Sequence, residues 1–203
     1  MKELTVKLTL TEDILGSQPG DPELHKTFIA SKAPDAESRE EEIAAMGVEE
    51  FVERQMTYFH RTKDGKPCLM NYQIQGFFKS AAKVVNEMTG NPLKKLTAFK
   101  KKVDLFVFVQ GMDGSRFLPF EIPEGGKIGN LQRPLRAQTM QGERVTLANS
   151  ETLPAGCTLT FKIVVLDDSL MDYVKAWLDY GQYNGLGQWR NAGNGRFTWE
   201  EIV

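Results

Sequence analysis

The chain has 203 residues, of which 41% are apolar and 26% charged, with a formal net charge of −2. That composition belongs to a globular protein able to bury a core, as one domain with insertions or two very small ones. It excludes a membrane-spanning helix, because no apolar run approaches the ~18 residues needed.

The N-terminus, Met-Lys-Glu-Leu-Thr, lacks the apolar stretch of a signal peptide. Cys68 and Cys157 are far apart and neither has a CxxC partner; the histidines are His25 and His60. The expectation is free, buried thiols in a reducing cytoplasm, with no zinc site and no cofactor. Charge is uneven. Residues 1–60 hold 6 Lys/Arg against 13 Asp/Glu, residues 61–144 hold 15 against 7, and residues 145–203 hold 4 against 7. A basic middle within a mildly acidic chain is an electrostatic footprint for a polyanion. Mixed charge is also what keeps any surface soluble.

In chain order, Leu4, Val6, Leu8 and Leu10 alternate with Thr5, Lys7, Thr9 and Thr11, which predicts a half-buried strand. Ile14-Leu15-Gly16 leads into a polar turn. Two helical patterns follow, over Pro22–Ser31 and Asp35–Tyr58, the second broken near Gly47. Together they form an acidic helical insert of about residues 20–56. Residues 57–70 predict a hairpin turning at Asp64-Gly65. Ile74, Phe77, Phe78, Ala81, Val84, Val85 and Met88 form one stripe of a helix, with Lys79 and Lys83 on its flank. Leu93–Lys102 holds five lysines, and Val103–Val109 reads as a buried strand. Residues 110–140 are turn-rich and predict a long loop or loose hairpin, of the length that is often functional. Strands are predicted over Thr139–Ala148 and Thr158–Leu166, then a helix over Ser169–Tyr180 and a last strand over Arg196–Ile202.

Between that helix and strand lies Gly181–Phe197, with five glycines, two arginines and three aromatics. Glycine permits positive φ and close backbone approach, and successive N–H groups in such a loop can cradle an anion. The stretch can equally be a turn that only returns the chain to the sheet. Gly185-Leu-Gly187-Gln-Trp-Arg190 lacks the third glycine of a dinucleotide fingerprint and follows a helix rather than a strand. No P-loop ending occurs, so a Rossmann or nucleotide-hydrolase reading is rejected.

Setting the insert aside, the order is close to β-α-β-β-α-β. The predicted class is α+β: a ferredoxin-like antiparallel sheet with helices on one face, in one domain spanning residues 1–203. That fold alone fixes no chemistry.

Several segments together resemble the RAMP superfamily, the ferredoxin-like, RRM-derived proteins of CRISPR systems. The stretch from Gly185-Leu-Gly187 through Arg190 to Gly193-Asn-Gly195-Arg196-Phe197 is similar to that family's C-terminal glycine-rich loop. The first strand running into Ile14-Leu15-Gly16 resembles its opening strand. Tyr72-Gln-Ile-Gln-Gly-Phe-Phe-Lys79 resembles its glycine-led helix, with Gln73-Ile-Gln75-Gly76 where the family usually has Pro-Gly-Ser. Glu151–Phe161 resembles the turn before its penultimate strand. The matches fall in the family's order. The whole chain also resembles uncharacterised proteins of bacteriophage and prophage genomes, which would place it in a bacterial host.

The resemblance implies RNA or ssDNA binding, by phosphate contacts from Lys/Arg and base stacking on aromatics. It also implies possible assembly side by side along the strand. The candidates are Lys79 and Lys83, Arg133 and Arg136 in the long loop, and Arg190 and Arg196 in the glycine loop. Tyr183 and Trp189 are the stacking candidates, and Gly185, Gly187, Gly193 and Gly195 shape the loop. For Lys94, Lys95, Lys100, Lys101 and Lys102 a solvated surface is slightly favoured. Two other readings stand beside this one. The acidic insert motivates a decoy or adaptor that contacts a host protein complex. His60, flanked by Arg61 and Lys63, is a weak general acid/base candidate for a metal-independent endoribonuclease; a half-exposed strand histidine is the simpler reading. The binding reading expects the glycine loop and the cationic midsection to meet on one side of the sheet.

Overall fold

The computed structural model describes residues 1–19, 56–90, 92–139 and 142–202, with side chains described outside 135–139 and 142–147. The predicted insert, its helices and His25 lie outside the described residues. The chain divides into two compact units. The first comprises Met1–Ile14, His60–Lys127 and Leu153–Val203; the second comprises Leu15–Phe59 and Ile128–Thr152.

The first unit is built on β1 (Lys2–Leu10), β11 (Thr158–Val165), β12 (Phe197–Glu201) and β7 (Val107–Gly111). Their order across the sheet is β12-β1-β11-β7, and every neighbouring pair is antiparallel. Helix α1 (Asn71–Glu87) links β1 to β7, and α3 (Met171–Asn184) links β11 to β12. This is the β-α-β-β-α-β arrangement with strand order 4-1-3-2, an α+β ferredoxin-like fold. The period-2 pattern explains how the sheet takes sides. Leu4, Val6, Leu8 and Leu10 of β1, and Leu159, Phe161, Ile163 and Val165 of β11, are buried. The helices supply the opposing stripe: Phe78 packs on Trp177 at 5.8 Å between ring centroids, and Phe77 on Phe197 at 5.5 Å.

From β11 the sheet also continues through β8 (Phe117–Glu121), β6 (Pro67–Met70) and β5 (His60–Arg61), with β7 off that path. Strands β7 and β8 both run antiparallel to β11, with Met112–Arg116 looped out between them. The predicted Asp64-Gly65 hairpin joins β5 to β6, with Gly65 at φ 77° donating to Thr62 O at 3.0 Å.

The first turn of α1 is fixed by polar side chains that the hydrophobic stripe does not announce. Gln73 accepts from the Met70 N–H at 2.7 Å, which caps the helix. Asn71 and Gln75, one turn apart, donate to the carbonyls of Val109 and Val107 at 3.2 and 3.0 Å and hold α1 against β7.

One prediction is corrected. Val103–Val109 is not one strand: Phe99–Phe106 is a helix, α2, and only from Val107 does the chain enter the sheet. The Lys100-Lys-Lys102 run favours helix, and the Val107 N–H still donates to Val103 O. Leu105 therefore points to solvent, 50% exposed, while Val103 is buried.

The second unit holds β3 (Gln18–Pro19), β4 (Thr57–Tyr58) and the long hairpin of β9 (Gly129–Thr139) and β10 (Gly142–Leu153), with β2 (Ile14–Leu15) also pairing β10. The turn-rich stretch predicted over 110–140 is thus mostly sheet: the end of β7, then β8, then β9. Pro119 and Pro134 lie within β8 and β9, while Gly111 and Gly129 sit at strand ends and Pro123, Gly125 and Gly126 in the 122–128 connection. Gly16 is required by close approach, since a Cβ there would overlap the Tyr58 carbonyl.

Candidate nucleic-acid interface

The glycine loop begins where α3 ends. Its neck is closed by main chain alone: Leu186 N–H donates to Gly195 O, and Gly195 N–H donates to Asp13 O, both at 2.8 Å. Gly185 (φ 70°) and Gly195 (φ 73°) are buried where the two sides of the neck touch, and a Cβ on Gly185 would sit 2.5 Å from the Gly195 carbonyl carbon. These two glycines are explained by packing. Gly181, on α3, leaves room for the Phe197 ring.

Beyond the neck the tip is open. Trp189 is 43% exposed and sits at φ 52° in the left-handed region; Tyr183 is 72% exposed. Arg190 is half-buried and Arg196 exposed, the latter passing beside Gly193. Gly187 is exposed at φ 77°. The Asn194 amide donates to Trp189 O at 3.2 Å and ties the tip across itself. The tip's indole and Arg190 guanidinium, with Tyr183 on the last turn of α3 and Arg196 just past the neck, can stack bases and hold phosphates.

A second cationic place lies between α1 and α2. Lys83, Asn86, Glu87, Lys95, Ala98, Phe99, Lys100 and Lys101 line an open cleft of about 620 Å³. The segment before α2 is fastened on both sides. The Asn86 carboxamide donates to Leu96 O and accepts from Leu96 N, both at 2.9 Å. The Tyr173 hydroxyl of α3 donates to Lys94 O at 2.8 Å. Sequence reasoning saw the lysines but not this convergence, because Asn86 and Leu96 carry no pattern that signals a side-chain clamp.

The exit of the glycine loop and the cleft lie along the same helix, α1. The loop's exit, Phe197, packs on Phe77, whereas the cleft uses Lys83–Glu87. Along the helix axis Phe77 is ~9 Å from Lys83 and ~15 Å from Glu87.

The remaining candidates are placed as follows. Lys79 pairs with Asp104 of α2 at 2.5 Å. Arg133 is 5% exposed in the second unit and donates to Ser150 Oγ at 3.1 Å; burial lowers the pKa of its guanidinium. Withdrawn from water beside Ser150, it is placed to support the β9–β10 hairpin. Arg136 lies opposite Val145 in that hairpin, and its side chain is outside the described ones. His60 is half-buried on β5, and its Nε2 lies 3.2 Å from the Tyr72 hydroxyl. The sheet face opposite the helices carries Thr5, Lys7, Thr9, Thr160 and Lys162. Lys162 pairs with Glu3 at 3.0 Å and Lys7 with Glu200 at 3.6 Å. Among the described residues no group of three or more His, Cys, Asp or Glu is arranged to hold a metal ion, and no described helix is long and apolar enough to cross a membrane.

Fold and surface together define an α+β protein with a ferredoxin-like unit that presents two cationic places. No protein family and no curated protein matches the sequence. Among solved structures, the chain is similar to a subunit of the Type III-B Cmr-beta complex bound to cognate target RNA, with 11% identity and a TM-score of 0.49 over 100% of this chain and 60% of that one. It is similar to a chain of a Type IV-B CRISPR complex, with 12% identity and a TM-score of 0.47 over 100% and 91%. A third similar structure is Cmr6 from Pyrococcus furiosus, with 10% identity and a TM-score of 0.48 over 100% and 98%. The chain spans three-fifths of the Cmr-beta subunit it matches.

Proposed function

We propose that this chain binds single-stranded nucleic acid, RNA or ssDNA, in the manner of a RAMP-like subunit that works within a larger assembly. One observation carries the reading. Four lysines elsewhere on the first unit are matched to carboxylates: Lys7 to Glu200, Lys79 to Asp104, Lys162 to Glu3 and Lys175 to Glu201. Lys83, Lys95, Lys100 and Lys101, gathered on one cleft, form no ion pair among the described residues. Concentrated positive charge without internal partners is what a polyanion contact requires, and it is an unfavourable arrangement otherwise. The exposed indole and arginines of the glycine loop, and the resemblance of that loop to the RAMP motif, support the same reading.

The test is a fluorescence-anisotropy titration with a labelled single-stranded RNA and the matching ssDNA at about 50 mM and about 200 mM salt. Binding that weakens steeply with salt is expected. Absence of binding at the lower salt, or binding with no salt slope, refutes the reading. A size-exclusion profile read by absorbance of both protein and nucleic acid reports co-purified strand and assembly size together.

A further inference from the structure

We infer that the cleft between α1 and α2 is a nucleotide-sized subsite that takes one phosphorylated nucleotide of a single strand. Its phosphate lies among Lys83, Lys95, Lys100 and Lys101, and its base rests against Phe99. The inference rests on the nucleic-acid reading and locates its anchor in the lysine cleft rather than in the glycine loop.

Four features converge. The cleft's volume, about 620 Å³, falls within the ~300–1,000 Å³ of small-ligand sites. Its walls come from two elements, the last turns of α1 and the start of α2 with the segment before it, so four lysines line one open cleft instead of lying along a single helix face. The frame is rigid where it needs to be. Leu96 is buried, Asn86 holds its backbone through two hydrogen bonds, and Tyr173 holds the Lys94 carbonyl. The lysines themselves stay exposed and hold no carboxylate among the described residues. Finally, Phe99 is a half-buried aromatic on the cleft wall beside the lysines, in a surface otherwise made of flexible cations. An aromatic face next to ammonium groups matches a base and its phosphate; an inorganic anion would have no use for the ring. Ammonium groups are point charges on long stems, so they hold phosphate without imposing one geometry. The subsite therefore suits a strand of varied sequence. Glu87, the one acid on the cleft wall, opposes a second phosphate and offers an acceptor to a sugar hydroxyl or a base N–H group.

The experiment compares wild-type protein with Lys95→Ala/Lys101→Ala and with Phe99→Leu, using a labelled 20-mer of oligouridine at the same two salt concentrations. The double variant is expected to keep its melting temperature and to bind roughly tenfold more weakly, with the salt slope reduced by up to about 0.7 for the one phosphate the subsite holds on a single strand. Phe99→Leu is expected to weaken binding several-fold with the slope unchanged, because stacking releases no counterions. Wild-type binding that neither variant alters in affinity or slope overturns the subsite and leaves the nucleic-acid reading intact. No binding by the wild-type protein at low salt overturns both.

Discussion

The Asn86 side chain and the Leu96 backbone form a closed ring of two hydrogen bonds, each 2.9 Å long. Through it the last turns of α1 fix the lysine-bearing segment that leads into α2. Asn86→Ala leaves a half-buried N–H and carbonyl of Leu96 without these partners, at a cost of about 1–3 kcal/mol. A lowered melting temperature and faster hydrogen exchange at the Leu96 amide are expected. Nucleic-acid affinity should fall with them, although Asn86 carries no charge. Unchanged exchange at Leu96 contradicts the clamp.

The glycines of the C-terminal loop should divide into two groups. Gly195→Ala places a methyl group against the Leu186 carbonyl, and Gly181→Ala places one in the Phe197 ring. Each is expected to cost more than about 3 kcal/mol. Gly193→Ala, at φ 92° with only the Arg196 side chain nearby, should cost about 1 kcal/mol. Phe197→Leu is expected to recover part of the loss in Gly181→Ala. Chemical denaturation of the set ranks them, and equal losses at all three sites would contradict the closed neck.

Trp189 holds a backbone conformation, φ 52°, that a bulky side chain adopts at a cost. Trp189→Gly is therefore expected to raise stability by about 1 kcal/mol at the backbone while removing the exposed indole. The two readouts should move in opposite directions: a higher melting temperature with weaker oligonucleotide binding. If stability rises and binding is untouched, the indole plays no part in stacking.

Cys68 is fully buried on β6, and burial pushes its thiol pKa up to about 11 from the ordinary thiol value of 9.0. Between pH 9 and pH 11 the unfolded chain loses this proton and the folded chain keeps it. Stability should therefore fall as pH rises through that window, by about 2–3 kcal/mol in total. Cys157 shifts in the same direction, from burial and then from Asp13. Unfolding measured from pH 8 to pH 11 on wild-type protein and Cys68→Ala tests this, and the variant should show a shallower decline. Parallel curves would place the Cys68 thiol in contact with water.

The ferredoxin-like frame was legible because its main signals are local. Alternation marked β1 and β11, and the 3.6-residue stripe marked α1 and α3. Helix α2 was hidden because Val103-Asp-Leu-Phe-Val-Phe-Val109 reads as a β-branched, aromatic run, while its helical half buries only Val103. The hairpin of β9 and β10 was half-seen, since Pro134 suggests a loop whereas its eleven cross-strand pairs are set by register. Arg133 looked like a phosphate contact because its charge is visible in the sequence and its burial is not. The lysine run was visible as composition. Its gathering into a cleft was not, because that depends on the Asn86–Leu96 ring, ten residues apart and without a motif.

The loop neck has an implication for how this protein can diverge. The strut from Asp13 to Gly195 to Leu186 is made of peptide groups, so it asks of the sequence only that two positions lack a β-carbon. Residues 188–192 can vary without touching this main-chain strut, while Gly187, at φ 77°, favours glycine. Homologues should therefore share Gly185 and Gly195 while differing at the apex, each lineage fitting its own chemistry to an inherited mount.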